Sequence, residues 1–250
     1  MFSIITPTYN AYDGLVQSAA SVMSQMSSLF EYWVIDGGSS DETREWLRAQ
    51  NNPRLHSISE PDSGVYDAMN KGIGLAKGNF LLFLGAGDLL EPGILSKAAE
   101  RITHLPSGKL SFLYGNVRYR SENRVGDGSF SKHRLCTSNI CHQGIFYEKQ
   151  LFTKLGSYEL KYRVYADWAF NLQCLGNPQV QTVYWDEVIA DYEGGGLSDR
   201  VQDVPFAQNR LRLIQEHFGL HYAVGHWLRS QWQHRWEQLV TRQQNHSKHP

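Results

Sequence analysis

Asp88 closes the stretch Phe80-Leu-Leu-Phe-Leu-Gly-Ala-Gly-Asp88 and is well placed to do chemistry. The apolar half of that stretch reads as a strand buried on both faces. Gly85, Ala86 and Gly87 then supply almost no side chain, so a carboxylate at the strand end has room beside it for a bulky polar ligand. Strand ends are also where open α/β sheets bind their ligands. The plainer assignment is an Asp that caps the helix at Pro92. Asp36 carries the same two readings at the end of Tyr32-Trp-Val-Ile-Asp36. It can accept a hydrogen bond from a ligand, or brace the turn at Gly37-Gly38, as Asp before glycine commonly does. His133-x-x-Cys136-x₄-Cys141-His142 offers four zinc-capable side chains. Its spacing is unlike the paired knuckles of structural zinc sites, and zinc is not assigned.

A framework must hold these residues, and the apolar spacing supplies one. Phe2–Thr6 reads as a strand, with Pro7-Thr-Tyr-Asn10 turning after it. Leu15, Ala19, Val22 and Met26 space a helix, and Tyr32–Asp36 is a second strand. Ser39 and Glu42 make a capping-box pattern for a helix to about Ala49, and Leu55–Ser59 is a third strand. Val65, Met69, Gly72, Ile73 and Ala76 recur at helical spacing. Gly72 and Ala76 let that helix lie close to the sheet, and Gly78 ends it. Strand and helix in strict alternation predict an α/β fold with a parallel sheet and right-handed crossovers.

Beyond Leu90 the texture changes. The spacing predicts a helix from Pro92 to about Leu105, and strands at Phe112–Tyr119 and Gly126–His133 around a Ser121-Glu-Asn-Arg turn. A strand within Ile140–Glu148, a helix over Tyr165–Leu175 and a strand at Val180–Trp185 follow. Gly194-Gly-Gly196 interrupts the chain, and Phe206, Leu211, Leu213, Ile214 and Phe218 mark a further helix.

At 250 residues the chain can bury a full core, with 24 Lys plus Arg against 25 Asp plus Glu. That balance leaves no global field for nucleic acid. No apolar run is long enough to span a bilayer, and the N-terminus lacks the basic and apolar regions of a signal peptide. Cys136, Cys141 and Cys174 suit a reducing compartment, so a cytoplasmic location is expected. The chain divides into one domain over 1–219, with halves 1–90 and 91–219, and a helical tail over 220–250. In the tail Trp227, Leu228, Trp232, Trp236, Leu239 and Val240 share one helical face. That face can pack on the domain or on a second copy of the chain, as in a homo-oligomer. It can also lie on the anionic inner surface of the cytoplasmic membrane through residues 222–245.

One motif is more specific. Glu60-x-Asp62-x-Gly64-x-Tyr66-Asp67-Ala68-Met69-Asn70-Lys71-Gly72, then Ala76-x-Gly78 and the strand ending at Asp88, resembles the signature of family 2 glycosyltransferases. Its form is similar to a branch that builds bacterial surface polysaccharides of the O-antigen and colanic acid type. His142-Gln-Gly-Ile-Phe-Tyr147, Leu155-Gly156-x-Tyr158 and Val164-Tyr-Ala-Asp167-Trp-Ala-Phe170 resemble the acceptor half of the same branch.

The resemblance implies the GT-A fold and an inverting transfer from a nucleotide-diphosphate sugar to a saccharide or lipid-linked saccharide. It implies Mg²⁺ or Mn²⁺ on the diphosphate, with Asp88 as the metal ligand. The family commonly places two acids in that turn, and here the first of those positions is Gly87. Thr6, Thr8, Tyr9 and Asp36 correspond to positions around base and ribose, with Asp62 and Lys71 as further donor contacts. Asp167 matches the catalytic base, although Ala166 stands where many members carry Glu. His142 belongs to the acceptor side, and Gly195 and Ser198 to a loop that closes over the donor. Each residue also has a structural reading: Lys71 as a solvated lysine, Asp167 as an acid at a helix N-terminus, the glycines as a hinge. Gly87 and Ala166 keep open a catalytically inactive nucleotide-sugar binder. A sugar nucleotidyltransferase would carry a glycine-rich basic loop where Pro7-Thr-Tyr-Asn10 stands.

Overall fold

A computed structural model describes residues 1–26, 29–126, 128–196, 201–229 and 231. Strands β1 (Phe2–Thr8), β2 (Phe30–Asp36), β3 (Leu55–Ser59) and β4 (Phe80–Phe83) run parallel in the order β3-β2-β1-β4. Helices α1 (Tyr12–Met23), α2 (Thr43–Arg48) and α3 (Val65–Leu75) make the crossovers. Every residue of β1 and β4 is buried, because helices cover both faces of this part of the sheet. Ile5, Ile35 and Phe83 pack with Met69 and Ile73 of α3. Ile4, Val34 and Leu82 face the other way, toward Leu15, Ala19 and Val22 of α1. Gly72 sets the spacing of α3, since a Cβ there would come 2.5 Å from Ile5 Cγ2.

The sheet continues without a break into the second half of the chain. β8 (Ile145–Glu148) pairs antiparallel with β4, and β6 (Leu110–Tyr119) antiparallel with β8. β9 (Val180–Tyr192) runs parallel to β6, and the short β5 (Leu89–Leu90) pairs antiparallel with the end of β9. β7 (Arg124–Gly126) forms a hairpin with β6. Helices α4 (Ile94–Thr103), α5 (Lys132–Leu135), α6 (Gln150–Leu155), α7 (Ala166–Gly176) and α8 (Val204–Phe218) flank this mixed, curled sheet. The 1–90 and 91–219 ranges thus share one sheet.

Several local expectations are corrected. The first strand runs on through Pro7 and Thr8, which pair with Ile35 and Asp36. α1 stops at Met23, and Met26 is 95 % exposed beyond it. The capping box at Ser39 does not form: the Ser39 hydroxyl donates to Asp36, and α2 starts only at Thr43. Gly78 is not a helix cap. It is needed because a Cβ there would lie 2.5 Å from the Ser3 nitrogen. Pro92 stands outside α4, whose N-cap is Gly93 at φ +73°. The strand expected over 126–133 ends at Gly126, because the Ser131 hydroxyl accepts from the Arg134 amide and caps α5 instead. The turn at His142–Gly144 shortens the expected 140–148 strand, while β9 extends past Trp185 to Tyr192 by pairing on both sides.

Residues 220–229 are helical, with Trp227 and Leu228 about half exposed. Trp232, Trp236, Leu239, Val240 and the rest of the tail face lie outside the described residues, as does Ser198. No helix among the described residues is long and apolar enough to cross a membrane.

Candidate active site

A cavity of about 700 Å³ opens where the carboxyl ends of β1 and β4 meet the turn before β8, the start of α7 and the end of β9. Two buried carboxylates face it, Asp88 and Asp167, each 4 % exposed.

Asp88 is fixed by three donors. Its Oδ2 accepts from Gln143 Nε2 at 2.7 Å and from the Gly85 amide at 3.2 Å. Its Oδ1 accepts from the Glu193 amide at 2.9 Å. Gly85 must be small, since a Cβ there would lie 2.7 Å from Asp88 Oδ2. The Ser18 hydroxyl pins the same turn, donating to the Asp88 carbonyl and accepting from the Gly87 amide. Arg120 Nη2 donates to the Gly87 carbonyl at 3.2 Å. Burial pushes the Asp88 carboxyl above the ordinary carboxylate range, and the Glu193 and Gln143 hydrogen bonds oppose that rise.

Asp167 sits in the first turn of α7. Its Oδ1 lies 2.7 Å from the Tyr66 hydroxyl and accepts from the Trp168 amide at 2.8 Å. Its Oδ2 accepts from Asn139 Nδ2 at 2.8 Å, with His142 Nδ1 at 3.4 Å. Burial, with the Asp167 charge beside it, holds the Tyr66 phenol well above its usual range. Asp203 positions the segment before α7. One of its carboxylate oxygens accepts from the Val164 and Tyr165 amides, and the other caps α8 through the Phe206 amide.

The two acids are linked by neighbours in sequence: Gln143 holds Asp88, and His142 reaches Asp167. Of the expected donor contacts, Thr8 and Tyr9 line the cavity. Thr6, Asp36, Asp62 and Lys71 are not in its lining. Thr6 Oγ1 accepts from the Tyr32 hydroxyl inside the core. Asp36 is fully enclosed, and its oxygens accept from the Ser39 and Ser59 hydroxyls at 2.5 Å each and from the Ser39 amide. Asp62 caps the Gly64 amide, and Lys71 pairs with Glu60 at 2.9 Å. His142 and Gly195 line the cavity.

Gln143, Asn139 and Asp203 escaped the sequence reading. Only Asp203 carried a local signal, an Asp two residues before Pro205, which is an N-cap pattern.

Among the described residues no three His, Cys, Asp or Glu side chains converge to cage a metal. The chemistry of Asp88 still fits a divalent ion that takes one or two protein carboxylates beside phosphate oxygens and water. A carboxylate offers about four lone-pair positions, and the three donors to Asp88 leave one on Oδ1. The buried charge gains from a cation there.

A family model described as glycosyl transferase family 2 matches residues 3–157. A PGL/p-HBAD biosynthesis glycosyltransferase of Mycobacterium bovis BCG is 46 % identical over 213 residues, covering 82 % of each chain. A chondroitin synthase of Escherichia coli is 28 % identical over 150 residues, 57 % of this chain and 22 % of that protein. Among solved structures, S. aureus TarS 1–349 in complex with UDP-GlcNAc superposes with a TM-score of 0.67 at 20 % identity, over 86 % of this chain and 66 % of that one. The mannosyltransferase PcManGT of Pyrobaculum calidifontis, in complex with GDP-Man and Mn²⁺, gives 0.61 at 16 % identity, over 87 % of this chain and 62 % of that one. These likenesses agree with a GT-A fold.

Proposed function

The chain belongs to glycosyl transferase family 2, and from that premise we propose that it moves a sugar from a nucleoside diphosphate donor to a hydroxyl of a lipid-linked saccharide or glycolipid, inverting the anomeric centre. Assembly of a cell-surface glycoconjugate is the setting in which such acceptors arise, and a relative with 46 % identity is named for PGL/p-HBAD biosynthesis. The supporting observation is that Asp88 and Asp167 face one cavity and that adjacent residues, Gln143 and His142, hold one each.

In this reading the 1–90 half holds the donor and the 91–219 half the acceptor. Thr8 and Tyr9 stand at the nucleoside end of the cavity and Asp88 at the diphosphate. Asp88 would hold Mg²⁺ or Mn²⁺ there. When bound, the ion neutralises charge on the departing diphosphate. Asp167 is the base. Its Oδ1 is occupied by Tyr66 and the Trp168 amide, while Oδ2 has Asn139 as its close donor and His142 at 3.4 Å, a long contact that the acceptor hydroxyl can replace. The acceptor oxygen attacks the anomeric carbon in line, the bond to the diphosphate oxygen breaks with its electron pair, and the acceptor proton passes to Asp167. His142 orients the acceptor beside it, and Gly195 belongs to the closing loop.

The test is release of nucleoside diphosphate from a panel of UDP- and GDP-sugars with Mn²⁺, with and without a lipid-linked acceptor. NMR of the product reads the anomeric configuration. Acceptor-dependent turnover with inversion supports the proposal, and retention overturns the in-line step. Binding without any turnover favours an inactive nucleotide-sugar binder, the reading to which Gly87 and Ala166 point.

A further inference from the structure

The turn after β4 and the end of β9 meet at one point. Gly87 has φ +106°, and a Cβ added there would overlap Glu193 Oε2 and lie 3.0 Å from Glu193 Cδ. The Glu193 carboxylate therefore occupies the space that a side chain at position 87 would enter. Backbone pairing brings it there. Leu89 and Leu90 pair with Asp191 and Ala190, and the Glu193 amide donates to Asp88 Oδ1. Among the described residues no hydrogen bond or ion pair engages the Glu193 carboxylate.

A second observation comes from another strand. Thr8 is 5 % exposed and lines the same cavity as Asp88 and Glu193, yet its Oγ1 has no hydrogen-bond partner. A buried hydroxyl left without a partner points to a polar ligand in that cavity.

We propose that Glu193 is the second carboxylate of the cation site, delivered from the end of β9 in place of the acid that the family's pattern puts at position 87. The inference rests on the metal-dependent reading above. The open position on Asp88 Oδ1 and the unengaged Glu193 carboxylate supply two hard oxygen ligands. Diphosphate oxygens and water complete the shell that Mg²⁺ or Mn²⁺ takes. The exchange also accounts for glycine at 87, since any side chain there would displace the carboxylate that replaces it.

Glu193→Gln keeps the size and removes the charge. Mn²⁺ binding to the full chain, alone and with UDP or GDP, is read by the EPR signal of the free ion. Wild type is expected to bind and Asp88→Asn is not. Glu193→Gln is expected to lose at least about tenfold in Mn²⁺ affinity, since even indirect partners of metal ligands are worth about 10–100-fold. Its Tm without Mn²⁺ stays at the wild-type value, because the side chain has no partner to lose. Equal Mn²⁺ affinity in wild type and Glu193→Gln, beside its loss in Asp88→Asn, overturns the proposal and leaves the metal-dependent reading standing. No Mn²⁺ binding by wild type in any arm overturns both.

Discussion

The phenolic oxygen of Tyr66 lies 2.7 Å from Oδ1 of Asp167, joining α3 to α7 across 101 residues of sequence. The same oxygen lies 2.7 Å from the Val164 carbonyl, so one hydroxyl hydrogen serves two acceptors. When Asp167 carries the acceptor's proton on Oδ2, the neutralised carboxyl is a weaker acceptor at Oδ1, and Tyr66 can turn its hydrogen to the Val164 carbonyl. Asp167→Asn removes the proton-accepting charge and is expected to lower the transfer rate by about 10²–10⁴-fold, the usual worth of general-base catalysis. The donor Kd, measured by calorimetry, is expected to stay near wild type, because the base acts on the acceptor alone. Transfer at the wild-type rate would move the base to another residue of the cavity.

Tyr66→Phe separates support from catalysis. The ring still packs on Tyr158 at 5.2 Å between centroids, but the two acceptors lose their shared hydrogen. A buried acceptor left without its donor costs about 1–3 kcal/mol, which urea unfolding would read directly. The rate should fall by less than in Asp167→Asn. A stability equal to wild type would show that water takes over the contact.

Asp88 has a pH signature. Its carboxyl is raised by burial, so the folded protein holds that proton more tightly than the unfolded chain does. The contribution is fully present below the unfolded value of about 4 and is lost as pH rises through the raised value. Near neutral pH the buried charge is a cost that Asp88→Asn removes, while the variant's amide nitrogen faces donors that the carboxylate accepted from. The difference in Tm between variant and wild type is therefore expected to move in the variant's favour as pH rises from the carboxylate range to neutrality. Mn²⁺ with a nucleoside diphosphate should raise the Tm of wild type and not of the variant. A difference in Tm that does not change with pH would remove the titration from Asp88.

The exposed Trp227 and Leu228 begin the apolar face that the sequence continues through Trp232 and Trp236. Ala223 is buried and Tyr222 packs on the core, so a truncation must spare them. Truncation after Ser230 is expected to weaken sedimentation with anionic vesicles while leaving donor hydrolysis intact. If the full chain stays in the supernatant even at low salt, while truncation converts a dimer to a monomer, the face joins two copies of the chain.

The legible parts of the fold were those set by local spacing. α3 could be read from Val65, Met69, Gly72 and Ile73 because one helix face buries them or packs them on the core. The parallel block followed from strict alternation. The antiparallel insertion of β8 between β4 and β6 could not be read, because no local pattern records which strands become neighbours. The same limit applies in the site. Asp88 announced itself by its position after a strand. Asp36 looked equally available, but Ser59, 23 residues away, closes over it. Glu193 carries no motif, because its place beside Gly87 comes from a strand pair joining segments about a hundred residues apart.

That strand pair also governs how such chains can be recombined. β5 comes from the end of the 1–90 range and β9 from late in the 91–219 range, yet they share one register, Leu89 with Asp191 and Leu90 with Ala190. A chimera spliced anywhere between residues 91 and 180 takes the two strands from different parents. It can work only if the second parent carries the same count of residues from its pairing partner to its acid. A slip of one residue turns every side chain of a strand to the opposite face. Swapping the 91–219 part between such chains is therefore a problem of matching register at this seam before it is one of matching pockets.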